Sequence, residues 1–132
     1  MTVDHVKETV RVWWLGLIGL VRTKTEEGAS QEEITKIIET EKTTLYGRLG
    51  DAVKKTDDKK VAEQLAIAVE QSKVLVSEQT TEVHAIIVSG DKKSASEKLQ
   101  NLGKVTEEKI KVTVVADEHK VREKRKTKQD AS

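Results

Sequence analysis

Apolar residues recur at steps of three and four along almost the whole chain. That spacing returns to one side of an α-helix and predicts amphipathic helices rather than pleated strands. In the first segment Val3, Val6, Val10, Trp13, Leu17 and Leu20 form a stripe, which Trp14, Ile18 and Val21 widen. A helix is expected from about Val3 to about Lys24, ending near Gly28. Ser30-Gln31-Glu32-Glu33 then reads as a capping box, a hydroxyl at the helix start with a carboxylate three residues later. Behind it come Ile34, Ile37, Ile38, Leu45, Leu49, Ala52 and Val53, with Glu32–Lys36 and Asp51–Lys55 spaced to pair on the wet side. Gly47 and Gly50 each weaken such a helix by about 1 kcal/mol relative to Ala, which leaves room for a kink there.

Thr56-Asp57-Asp58 supplies the next cap. The third pattern is the longest: Val61, Leu65, Ala68, Val69, Ser72, Leu75, Val76, Gln79, Val83, Ile86 and Ile87. Ser72 and Gln79 interrupt its apolar stripe, a device that fixes register between helices. Ser94-Ala95-Ser96-Glu97 reads as a second capping box, opening Leu99, Leu102, Thr106, Ile110, Val114 and Val121. Two β-branched stretches admit an α+β alternative, with strands near 83–88 and 109–115. The helical reading is preferred because both stretches continue longer stripes. Short connections then favour an all-α, up-down four-helix bundle over residues 1–123, with 124–132 a basic, disordered tail.

Composition sharpens this picture. Aromatics are 2 % of the chain and Phe and Pro are absent, so aliphatic side chains must fill the core. With no cysteine, disulfides, thiol catalysis and Cys-ligated zinc are excluded. The net charge of +1 hides a split. His119–Ser132 holds six Lys/Arg against two Asp/Glu, and the residues before it carry eighteen against twenty-one. Asp4 and Glu8 precede the first apolar run, unlike a signal peptide, and the run is shorter than the roughly 20 residues a bilayer requires. A cytoplasmic protein is the expectation.

The run itself is the most conspicuous candidate for a contact site. Val12 to Val21 is apolar or glycine throughout, between Arg11 and Arg22. Trp13, Trp14, Leu17, Ile18 and Val21 are the candidate contacts for a partner or a lipid surface. Adjacent helical residues point about 100° apart, so one tryptophan is expected in the core and the other in a groove between helices. Gly16 and Gly19 in a helix call for a reason, and close packing of a neighbouring helix is the expected one.

Candidate chemistry is sparse. His5 with Glu8, and His119 with Glu123, are His–carboxylate pairs at helical spacing that an up-down bundle brings to one end, with His84 at the other. They are weak metal candidates, and no metal or other cofactor is expected. No serine sits in a nucleophile turn and no phosphate-binding glycine loop occurs, so an enzyme is not expected. Gly47-Arg48-Leu49-Gly50, followed by Lys54, Lys55, Lys59 and Lys60, resembles the GXXG loop of KH domains, which grips nucleic-acid backbone. The resemblance covers four residues and lacks a preceding strand. The tail residues Lys120, Arg122, Lys124, Arg125, Lys126 and Lys128 can attract phosphates or anionic lipid, but no aromatic residue accompanies them for base stacking. Specific nucleic-acid binding is therefore not expected.

The sequence points to a non-enzymatic helical bundle acting through self-association or packing against a partner helix. The alternative is an amphipathic-helix protein whose bundle opens on a lipid or other hydrophobic surface. In composition and patterning it resembles apolipoprotein-like or phasin-like helical coats.

Overall fold

The computed structural model describes residues 2–89 and 91–114. Four helices follow one another: α1 (Val3–Glu26), α2 (Gln31–Lys54), α3 (Lys59–Ser89) and α4 (Lys92–Thr113). No strand occurs among the described residues, and 83–88 and 109–113 are helical throughout. The stripes there bury Val83 and Ile110 against the other helices, which decides between the two periods. The fold is an all-α four-helix bundle.

Caps explain most of the boundaries. Ser30 accepts a hydrogen bond from the Glu33 amide at 3.1 Å, as its capping-box position predicts. The cap of α3 comes from the last residue of the Thr56–Asp58 triplet: the Asp58 carboxylate accepts from the amides of Lys60 and Val61. At α4 the expectation is corrected. Asp91, not Ser94, caps the helix by accepting from the Ser94 amide at 2.7 Å, because its carboxylate stands three residues earlier, at the position from which a side chain reaches a free amide of the first turn. Gly28, at φ +85°, provides the left-handed residue that stops α1 and turns the chain into α2. Helix α2 runs unbroken through Gly47 and Gly50.

The core is aliphatic with one tryptophan, as composition requires. Val6, Val10, Trp14 and Val21 of α1 meet Ile38, Leu45 and Leu49 of α2, Leu65 and Val83 of α3, and Leu99 and Ile110 of α4. Helix α1 packs most extensively on α4, and α2 on α3. Helices α1 and α3 also touch across the short diagonal, whereas α2 and α4 barely meet. The polar residues interrupting the stripe of α3 are buried and satisfied. Thr106 donates to Oε1 of Gln79 at 2.8 Å, and Ser72 donates to the Ala68 carbonyl. Ser96 lies buried between Arg22 and Glu26 and hydrogen bonds to both.

The pairs expected at Glu32–Lys36 and Asp51–Lys55 do not form. The ion pairs within the described helices are spaced i,i+3, among them Glu8–Arg11 and Glu108–Lys111. None of the described helices is long and apolar enough to cross a membrane. The expected helix end at Val121 and the boundary at 123–124 lie outside the described residues.

Candidate functional site

The two tryptophans part company as their angular separation demands. Trp14 is 1 % exposed, and its indole N–H donates to the Gly103 carbonyl of α4 at 3.2 Å. Leu17, Ile18 and Val21 join it in the core. In the closed bundle these four residues therefore face other helices of the same chain and not a partner. Trp13 is half-buried against α2, with its indole N–H donating to the Glu41 carbonyl at 3.2 Å. Of the five candidate contacts it alone reaches the surface.

The outward side of α1 is made by Val12 and Leu15, together with Leu20, which the spacing places in the inward stripe. Val12 is 56 % exposed, and Leu15 and Leu20 are exposed beside it. Gly16 and Gly19 lie between them, both exposed. From Thr9 to Thr23 this side carries no charged side chain (Thr9, Val12, Gly16, Leu20 and Thr23 follow one another at helical spacing). Toward α2 it falls into an open groove of about 560 Å³, with Trp13 and Leu17 on its floor and Glu41 and Arg48 on the far wall.

The glycines do not serve the packing expected of them. A Cβ on either Gly16 or Gly19 would meet nothing within 4 Å, because their side of α1 faces outward. The close approach occurs instead at Gly103, where a Cβ would lie 3.3 Å from the Ile18 side chain. Gly103 sits on the most extensive interface of the bundle, and its missing side chain lets α4 lie against Ile18 and accept the Trp14 indole. The spacing Leu99, Gly103, Thr106, Ile110 contained that signal, since a helical glycine at a core position marks close backbone approach.

The other candidates separate cleanly. Arg11 of α1 binds Glu8 and reaches Glu107 of α4 at 2.9 Å, which confirms that the start of α1 and the end of α4 share one end of the bundle. Glu8 is thus occupied by a guanidinium, and His5 is exposed. His119, Glu123 and the tail lysines and arginines lie outside the described residues, among which no group of three metal-ligating side chains occurs. His84 lies toward the other end, 3.5 Å from the Thr35 hydroxyl. Gly47 to Gly50 is the interior of α2 and not a loop, so nothing there can fold around a nucleic-acid backbone.

The chain matches no known protein family, no curated protein and no solved structure.

The Arg11 hydrogen bonds hold the Glu8 carboxyl below the ordinary carboxylate range. A depressed folded-state pKa means that the contribution of the pair is complete above the ordinary glutamate pKa and fades as pH falls through the lowered value. Glu8 is expected to titrate below the ordinary glutamate value in a carbonyl-detected NMR titration. Arg11→Ala should return it toward that value, and an unchanged midpoint would show that the pair does not form in solution.

Proposed function

We propose that this protein acts by contact rather than by chemistry, holding a partner helix against the outward side of α1 and the groove beside α2. One observation carries the reading. Gly16 and Gly19 weaken α1 by about 1 kcal/mol each relative to alanine and have no close neighbour within the chain. A helix from outside, laid across them, gives the missing side chains a use, because two backbones can then approach closely. Val12, Leu15 and Leu20 flank the crossing point with apolar surface, and the half-exposed Trp13 supplies an aromatic anchor of the kind that dominates interfaces.

Two measurements test it together. Gly16→Ala with Gly19→Ala should stabilise the isolated protein by about 1–2 kcal/mol in urea, since both positions are open and helical. A photo-crosslinking residue in place of Val12 should capture a helical segment of a protein chain. Gly16→Leu should abolish that capture without loss of helicity. Capture that survives Gly16→Leu, or that is no stronger than from the same crosslinker at Lys104, would refute the reading.

A second reading rests on the uneven packing. Divided into α1 with α4 and α2 with α3, the bundle parts across its least extensive contacts, although α3 packs on α4 nearly as widely as on α2. The chain passes between these pairs only at the 27–30 and 90–91 connections, which lie at the same end. Opening about that end would present the apolar side of each pair to a lipid surface. Anionic vesicles should then shift the tryptophan emission to shorter wavelength and bury both indoles; an unchanged spectrum at saturating lipid disposes of it.

A further inference from the structure

Two of the four helices lie off the short diagonal on which α1 and α3 touch, α2 on one side and α4 on the other. Lifting either away leaves three helices in mutual contact. The two are held very differently. Both pack on α3 to a similar extent, but the contact of α4 with α1 is the most extensive in the bundle, and that of α2 with α1 is the least extensive between neighbours.

The polar contacts follow the same division. Helix α4 is fixed by the buried Trp14–Gly103 and Thr106–Gln79 bonds and by the Arg11–Glu107 ion pair. Helix α2 is joined by a 3.2 Å bond from Trp13 to the Glu41 carbonyl, a 3.3 Å bond from the Tyr46 hydroxyl to the Lys73 carbonyl, and a 3.5 Å approach of Thr35 to His84. None of these three is fully buried. The Lys73 ammonium, 5.6 Å from the centre of the Tyr46 ring, adds a weak attraction screened by water. Among the described residues no ion pair ties α2 to another helix.

The sequence of α2 weakens it further. A Cβ on Gly47 or Gly50 would meet nothing within 4 Å, so no close approach offsets their low helix propensity. Thr43 and Thr44 are β-branched and bond back to carbonyls one turn earlier, which slightly destabilises a helix. Helix α1 carries such a glycine pair too, but α4 clasps it along its length.

We propose that α2 leaves the bundle as a unit, by local unfolding, while α1, α3 and α4 stay assembled. The connections allow it. With α1 and α3 in place, the chain must bridge about 36 Å, the length of a 24-residue helix, and residues 27–58 can stretch to roughly 100 Å. Opening removes Glu41 and Arg48, the far wall of the groove beside α1. It also uncovers the sides of α1 and α3 against which Ile38, Leu45 and Leu49 now pack. The groove is thereby regulated by its own wall. The detachment itself stands on how α2 is held, whether or not the groove receives a partner helix.

The chain has no cysteine, so an introduced one is the sole thiol, and its rate of reaction with a disulfide reagent reports how often its site opens. Leu45→Cys in α2 and Leu99→Cys in α4 replace equally buried leucines of the full chain. Leu45→Cys should react faster by about ten-fold or more, with the shallower urea dependence of an opening that exposes less surface than complete unfolding. Ile110→Val, a buried change in α4, should then speed Leu99→Cys severalfold and leave Leu45→Cys unchanged. Hydrogen exchange of the unsubstituted chain gives an answer free of any mutation. The central α2 amides should exchange together, about ten-fold or more ahead of the slowest in α1, α3 and α4. Equal reaction of the two thiols with one urea slope would mean that the bundle opens by halves or as a whole, and would overturn the proposal. So would α2 amides as protected as those of α4, or a Leu45→Cys rate that rises with Ile110→Val.

Discussion

Trp14→Ala is expected to lower the unfolding free energy by about 3–5 kcal/mol, the range for removing a large aromatic from a packed core. The indole is 1 % exposed and wedged where α1 meets α4, so its loss leaves a cavity that the stiff aliphatic neighbours cannot fill. It also leaves the Gly103 carbonyl without the indole donor. Trp13→Ala should cost roughly 1–2 kcal/mol, because half of that ring already faces water. Urea denaturation of the two variants makes the comparison. Equal losses would mean that the tryptophans do not divide their roles as the structure has them.

Gly103→Leu should also be damaging, for the opposite reason. Even a methyl at this position would sit 3.3 Å from Ile18 Cγ2, so a full side chain forces α1 and α4 apart along their closest approach. Overpacking of this kind costs about 1–3 kcal/mol, and separating the helices also stretches the Trp14 hydrogen bond. Gly103→Ala should be nearly neutral, the small clash offset by about 1 kcal/mol of gained helix propensity. Ile18→Ala should recover part of the loss in Gly103→Leu. A double mutant whose losses simply add would show that residue 103 clashes with something other than Ile18.

The elements that could be read from the sequence are those set by local chemistry. Helix starts at Ser30 and Asp58 follow from side chains that reach amides within the next turn, and the stripes of α1 and α3 from a period that only a helix satisfies. Ser94 was misread because two capping residues compete within four positions there, and Asp91 wins with a charged acceptor. The glycines show a different limit. Spacing identifies a glycine on a helix but not which neighbour crosses it, so Gly16 and Gly103 cannot be told apart until the pairs α1–α4 and α2–α3 are known. The same holds for the contact residues. Trp14, Leu17, Ile18 and Val21 were as apolar as Val12 and Leu15, and only the packing decides which of them is left outside.

The buried Gln79–Thr106 bond has an effect on how the chain reaches this arrangement. If α4 slid by one turn along α3, Leu102 or Ile110 would stand opposite the Gln79 amide, and a desolvated carbonyl without a donor would cost about 1–3 kcal/mol. Aliphatic rows tolerate such slippage, since one methyl group replaces another. A single polar rung therefore acts as an index mark, holding α4 to one register on α3 among those the aliphatic rows alone would accept.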